Sequence, residues 1–208
     1  MFKTHQITIA NRQIVLDLPA DPEALLKVAA ETEESLDPYW GILWDAAIHT
    51  AERILKFDWP PGTRALELGC GAGLVGIAGL MAGMEVTFSD VVPEAVELAV
   101  RNASANGFPT AKGQQINVHS KPTETFDVLM ASDLLYDADL HASVLHYAEN
   151  ALATDGVFLL GDPGRQNADV FVTMARRQGW LVETPQQGRA PHTQDCAERF
   201  RLLKLTQV

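Results

Sequence analysis

The chain has 208 residues, a length that fits one domain with a core of its own and excludes a second of full size. Hydrophobic residues make up 47% and charged residues 21%, with 15 Gly and 11 Pro, which excludes a disordered or fibrous chain. Lys plus Arg number 16 against 27 Asp plus Glu, a net charge of −11, so no nucleic-acid partner is expected.

The first element is a β-hairpin over residues 6–18, in which Ile7 and Ile9 alternate with polar residues, the chain breaks at Asn11-Arg12, and Ile14, Leu16 and Leu18 resume the pattern. Asp21-Pro22-Glu23 supplies a cap, a first-turn proline and an acid near the N-terminus of a short helix over 22–30. The acids Glu31, Glu33, Glu34 and Asp37 end it as a solvated face. Beyond Pro38, apolar residues at helical spacing predict a helix over 44–56.

From Thr63 onward strands alternate with helices, the pattern of βαβ units and a parallel sheet. Strands are predicted at 64–68, 85–89, 114–118, 126–131 and 157–161, and helices at 74–82, 94–105, 140–151 and 168–178. Two further strands, 180–183 and 199–205, are joined by the Gly-, Pro- and Gln-containing segment 184–196. The expected organisation is a single domain, with hairpin and helices over 1–60 and an α/β core over 61–208.

Cys70 and Cys196 lie far apart and suggest neither a disulfide framework nor a metal cluster. The most apolar stretch, 74–84, is broken by glycines and is shorter than the roughly 18–20 residues of a membrane span. The N-terminus lacks the apolar core of a secretion signal, so a cytoplasmic location and no membrane partner are expected. The acidity would also suit a cationic substrate, although solubility alone accounts for it. The six histidines show no metal-ligand spacing, and no metal is predicted.

ELGCGAG, Glu67 to Gly73, stands where a buried strand turns into a helix. Glycines at Gly69, Gly71 and Gly73 permit a tight turn and close approach of backbone to a ligand, and the helix start offers unpaired N–H groups. Gly71, Gly73 and Gly76 also satisfy the dinucleotide pattern G-x-G-x-x-G, a weak signal alone. Glu67 decides between the two, because a carboxylate there repels a pyrophosphate and attracts the ammonium and sulfonium of S-adenosylmethionine. Asp90 ends the next strand, where a carboxylate accepts ribose hydroxyls.

Strand, ELGCGAG, helix and Asp90 together resemble the class I, seven-β-strand, S-adenosylmethionine-dependent methyltransferases. DPYWGILWDAA (37–47) and SDLLYD (132–137) resemble the protein-lysine methyltransferases of that class, whose D-x-x-Y motif is matched by Asp133 and Tyr136. DPYW with GDPGR (161–165) is similar to the branch that methylates the β subunit of electron-transfer flavoprotein, a branch that also includes predicted nicotinamide N-methyltransferases. WDAA, Trp44 to Ala47, looks more like relatives acting on chaperones. Many relatives carry Asp-Trp after the third strand where this chain has Asn117-Val118-His119, so Asn117 takes the adenine position by place alone.

The resemblance implies a three-layer Rossmann-like fold with a seven-stranded, mostly parallel sheet, an antiparallel strand near its C-terminal edge and an N-terminal hairpin. It implies S-adenosyl-L-methionine as cofactor, held by Trp44, Glu67, Gly69, Gly71, Gly73, Asp90, Asn117 and Ser132. Asp133 and Tyr136 are the expected catalytic pair, Asp133 holding the acceptor amine and Tyr136 shaping its pocket, a role preferred for Asp133 over merely capping the next helix. The expected acceptor is a lysine of a protein, or alternatively a small-molecule amine, with an open cavity mouth favouring the first and an enclosed one the second. An NAD-dependent oxidoreductase and a non-catalytic S-adenosylmethionine-binding protein stay open beside these. Trp59 and Trp180 are assigned to the core, Cys70 is a small loop residue, and Arg165 meets a carboxylate of cofactor or substrate or caps a strand end.

Overall fold

A computed structural model describes residues 1–31, 38–184 and 199–207. The hairpin pairs β1 (Phe2–Ile9) with β2 (Arg12–Pro19) across a turn at Ala10 and Asn11, both with positive φ. The turn thus sits one residue before the expected break, because Arg12 already pairs with Ile9. Both central residues with φ > 0 make the tight turn whose twist matches the flanking strands.

The helix α1 (Pro22–Glu31) is capped by Asp21, whose Oδ1 accepts from the Ala24 N–H at 3.1 Å. A 3-10 turn over Pro38–Gly41 and α2 (Asp45–Ile54) follow. The acids Glu33, Glu34 and Asp37 lie outside the described residues, as do most of the 184–196 segment and Cys196.

The alternating part then runs β3 (Arg64–Leu68), α3 (Leu74–Met81), β4 (Glu85–Asp90), α4 (Pro93–Ala105), β5 (Lys112–Gln115), β6 (Phe126–Ser132), α5 (His141–Ala151), β7 (Leu152–Asp162), α6 (Gln166–Arg177), β8 (Trp180–Glu183) and β9 (Arg201–Gln207). The sheet order is β5-β4-β3-β6-β7-β9-β8, with β9 antiparallel to both neighbours. That is the expected mostly parallel seven-stranded sheet with an antiparallel strand inserted near one edge. Buried-strand runs such as VLMA are apolar on both faces because helices cover both, and ALEL differs only by the buried Glu67. Residues of α2, α3 and α4 fill the core on one face, with Ile14 and Leu16 of the hairpin, and residues of α5 and α6 fill the other.

Two strands depart from expectation. The third parallel strand lies at Lys112–Gln115, two residues before the predicted 114–118. Gly113 allows it to press on α4, since a Cβ there would meet Val96 and Val100 at 2.5 and 2.8 Å, and the Asn117 side chain stops it by accepting from the His119 N–H at 2.9 Å. The fifth begins at Leu152, five residues early, with its pairing to β6 shifted between Phe126 and Val128. An irregular start with Asp155 at φ 65° hid it from a periodicity count.

The hairpin is fastened to α4 by side chains that act as a strand edge. Asn106 Oδ1 and Nδ2 bond to the Val15 N–H and C=O, and Asn102 does the same for Asp17, at 2.7–3.1 Å. Positions four apart on a helix share one face, so the two amides follow the pitch of β2. Asn102 Nδ2 also donates to the Ala72 carbonyl at 2.9 Å, so the same contact braces the glycine loop.

Candidate active site

In an open α/β sheet, ligands bind beyond the carboxyl ends of the strands. A cavity of about 590 Å³ opens there, within the range of small-molecule sites. Glu67, Gly69, Gly71, Asp90, Asn117, Ser132, Asp133, Tyr136 and Trp44 all line it, together with Cys70 and Tyr39.

Gly73 lies off this wall. It caps α3 at φ 82°, and a Cβ there would fall 2.8 Å from Ala99 Cβ and 3.0 Å from Ala99 Cα. Its smallness serves the packing of α3 against α4. Gly69 and Gly71, at φ 66° and 47°, turn the loop itself, and a Cβ on Gly71 would lie 3.1 Å from the Trp40 carbonyl.

Asp90 clamps the loop, its Oδ2 accepting from the Gly71 N–H and its Oδ1 from the Val92 N–H, both at 3.1 Å. Asp90 also lines the cavity, where a carboxylate can accept hydroxyl groups. Cys70 N–H donates to the Ser89 carbonyl at 2.9 Å, completing the brace between β3 and β4.

Glu67 is 3% exposed, and its Oε2 accepts from the Gly76 N–H at 2.9 Å, with a further bond from Val75. Its carboxylate therefore occupies the N-terminal N–H groups of α3, the place a dinucleotide pyrophosphate would need. Gly76, the last glycine of G-x-G-x-x-G, is accounted for by this contact, because a Cβ there would come within 2.5 Å of Oε2 and 2.3 Å of Phe88. Burial, and secondarily the charge of Asp90, push the Glu67 carboxyl up to about 8 against the pull of the Gly76 N–H. A buried acid of that kind is stabilised as a carboxylate when a cation arrives. The donor set thus fits S-adenosylmethionine and excludes the dinucleotide reading.

At the opposite side, β6 ends at Ser132, whose hydroxyl meets Thr50 Oγ1 at 3.1 Å. Asp133 follows at φ 56°, its N–H donating to the Gly161 carbonyl at 2.8 Å. A left-handed aspartate costs about 1–3 kcal/mol, and here it brings a nearly buried carboxylate to the cavity wall. It caps no helix, since Asp137 caps the next turn by accepting from the Asp139 N–H at 3.0 Å. Arg165 Nε donates to Asp133 Oδ1 at 2.6 Å, so the carboxylate that Arg165 meets belongs to the protein itself.

Tyr39, Trp44 and Tyr136 form an exposed aromatic ladder at the mouth, with Tyr39 edge-on to Trp44 at 6.2 Å and to Tyr136 at 6.3 Å. Such faces attract cations. Cys70 is buried and its thiol is pushed well up by that burial and by Glu67 and Asp90, which removes it as a nucleophile. Trp180 is buried in the core, and Trp59 packs on Phe57. Among the described residues no His, Cys, Asp and Glu group is arranged to hold a metal ion, and no helix is long and apolar enough to cross a membrane.

The site assignments by sequence miss Asn102, the brace of the glycine loop, although two asparagines four apart on the apolar face of a predicted helix are its visible sign. They also leave Arg165 undecided, because its partner lies 32 residues away.

A Rossmann-like sheet with a glycine loop, a buried acid at the following helix and a second acid one strand over defines a methyltransferase. Residues 60–195 match the methyltransferase domain family, and the chain belongs to that family. It is 32% identical over 134 residues to the electron transfer flavoprotein β subunit lysine methyltransferase of Xenopus laevis, covering 62% of this chain and 54% of that protein. It is 30% identical over 148 residues to the protein N-lysine methyltransferase METTL21A of Mus musculus, covering 66% of this chain and 67% of that protein. The chain spans about half the length of the flavoprotein methyltransferases it matches. Among solved structures, a TehB-like SAM-dependent methyltransferase from Corynebacterium glutamicum superposes with a TM-score of 0.59 at 20% identity, covering 91% of this chain and 100% of that one.

Proposed function

We propose that the protein transfers a methyl group from S-adenosylmethionine to the side-chain amine of a lysine in a protein substrate. The observation that carries this reading is a single cavity with the glycine loop and two acids at one end, and Asp133 with an exposed aromatic rim at the other. The exposed rim of Tyr39, Trp44 and Tyr136 suits a side chain presented by a macromolecule, and relatives at about 30% identity are lysine methyltransferases.

When bound, the cofactor supplies a sulfonium-activated methyl group. Glu67 offers its charge to the positive end of that molecule, Asp90 accepts its ribose hydroxyls, and Asn117 flanks the adenine. Trp44 and Tyr39 wall the cavity at its mouth, where aromatic faces attract a cation. Asp133 holds the amine by hydrogen bond, with Tyr136 alongside. A free lysine, with pKa about 10.4, is protonated at neutral pH, so the site must align the nitrogen and favour its neutral form. Proximity and alignment supply most of the acceleration, worth about 7–11 kcal/mol for well-oriented reactants.

The test is transfer from methyl-tritiated S-adenosylmethionine to a dialysed cell extract, followed by acid hydrolysis and amino-acid analysis. Label in methyl-lysine is the expected result, with at least a hundredfold loss in Asp133→Asn at unchanged affinity for S-adenosylhomocysteine. Label absent from methyl-lysine, or found only in small molecules when the same assay is run on undialysed extract, would overturn the protein-lysine reading.

A further inference from the structure

Arg165 is built into place rather than merely present. Asp162, fully buried at the end of β7, accepts from the Gly164 N–H at 2.9 Å and the Arg165 N–H at 3.3 Å. It also receives Arg201 Nε and Nη2 from β9 at 3.0 and 2.8 Å, and the same Nη2 donates to the Arg165 carbonyl at 3.2 Å. Both backbone polar groups of Arg165 are therefore fixed by one buried ion pair. Gly164, at φ 90° and pressed on Arg199, makes the turn that permits it. The outcome is a guanidinium whose Nε stands 2.6 Å from Asp133 Oδ1. Asp133 lines the cavity, and Arg165 backs it from outside the wall.

This arrangement has a chemical consequence for any amine that comes to Asp133. An isolated carboxylate stabilises an ammonium and so holds the acceptor in its unreactive, protonated form. A guanidinium, which stays charged at every working pH, cancels that effect. We propose that Arg165 is a positioning residue for the methyl acceptor: it offsets the charge of Asp133, so that the approaching lysine gives up its proton and arrives as a neutral amine. The inference rests on the lysine reading above. The ammonium proton leaves to bulk water through the open mouth. The nitrogen lone pair then forms the N–CH3 bond as the S–CH3 bond breaks, its electron pair remaining on sulfur.

The other charges near Asp133 do not substitute for Arg165. Arg201 is committed to Asp162 and Asp169. Glu67 and Asp90 line the same cavity at the cofactor end, while Asp137, Tyr136 and Tyr39 share its wall. Buried His141 at the head of α5 faces Leu135 O and Phe171. All of these are unchanged when only residue 165 is altered, so the comparison isolates one cation. A unit charge about 10 Å from the amine, at an effective dielectric constant of about 20, moves its protonation by about one pH unit.

The experiment compares wild type, Arg165→Gln and Arg165→Lys. The initial rate of methyl-lysine formation in the dialysed extract, with donor saturating and acceptor limiting, is followed across the pH range and tracks kcat/KM. Titration with S-adenosylhomocysteine reads an intact cofactor site in each protein. The acid limb of Arg165→Gln is expected about one pH unit above that of wild type, giving about a tenfold lower rate on that limb at equal pH and convergence in alkali. Arg165→Lys, which keeps the charge, restores the wild-type limb. A loss of equal size at every pH, or failure of Lys to restore the limb, overturns the proposal. No methyl-lysine from wild type at any pH, with S-adenosylhomocysteine bound, overturns the lysine reading and the inference with it.

Discussion

Glu67→Gln separates what the folded protein needs from what the cofactor needs. The Glu67 carboxyl is pushed from 4.5 to about 8, with burial as the main cause. Below pH 4.5 it is neutral whether the chain is folded or unfolded, and it costs nothing. Between 4.5 and about 8 the unfolded chain ionises while the folded one keeps its proton, so the folded state loses stability as pH rises. Above about 8 both forms are ionised and the loss is complete. At about 1.36 kcal/mol per pH unit, the displacement amounts to roughly 5 kcal/mol.

Gln keeps an oxygen for the Gly76 N–H and carries no charge to bury. The variant without ligand should therefore match wild type near pH 4.5 and exceed it by several kcal/mol at pH 9. Urea denaturation at matched pH reads this directly, because the general effect of an acidic surface cancels between the two proteins. The same variant should bind S-adenosylhomocysteine more weakly, since its ammonium loses a partner. A stability difference that does not change with pH, or a variant less stable than wild type at pH 9, would refute the reasoning.

The other perturbations probe the loop and the rim. Gly73→Ala should destabilise the protein by about 2–4 kcal/mol, since the new Cβ meets the Ala99 backbone in a left-handed conformation; thermal unfolding measures it, and a shift within error would contradict the packing role. Trp44→Ala removes an exposed wall whose Nε1 donates to the Tyr39 carbonyl, so the affinity for S-adenosylmethionine should fall about tenfold with the unfolding midpoint unchanged.

Legibility in the sequence followed the range of the interaction. Strands β3, β4 and β6 read clearly because each alternates with a helical stretch and carries the apolar residues that a covered sheet demands, and the glycine loop read clearly because its conformation is local. Strand β5, with the sequence KGQQ, carries no apolar signal, and its place is set by Gly113 against α4. Gly73 and Gly76 looked like ligand contacts, yet Gly73 faces Ala99 and Gly76 faces the Glu67 carboxylate. Local spacing shows that a small residue is needed and not what approaches it. The Asp133 and Arg165 pair spans the β6–α5–β7 crossover connection, so only the folded sheet brings its members to neighbouring strand ends.

The central claim, a site built for the S-adenosylmethionine skeleton and not for a dinucleotide, is tested most directly by parallel calorimetric titration with S-adenosylhomocysteine and NAD. Micromolar binding of the first, no binding of the second, and a marked loss for the first in Asp90→Ala are the expected results. Binding of NAD alone, or of neither, would contradict the claim and with it the roles given to Glu67, Asp90 and Asp133.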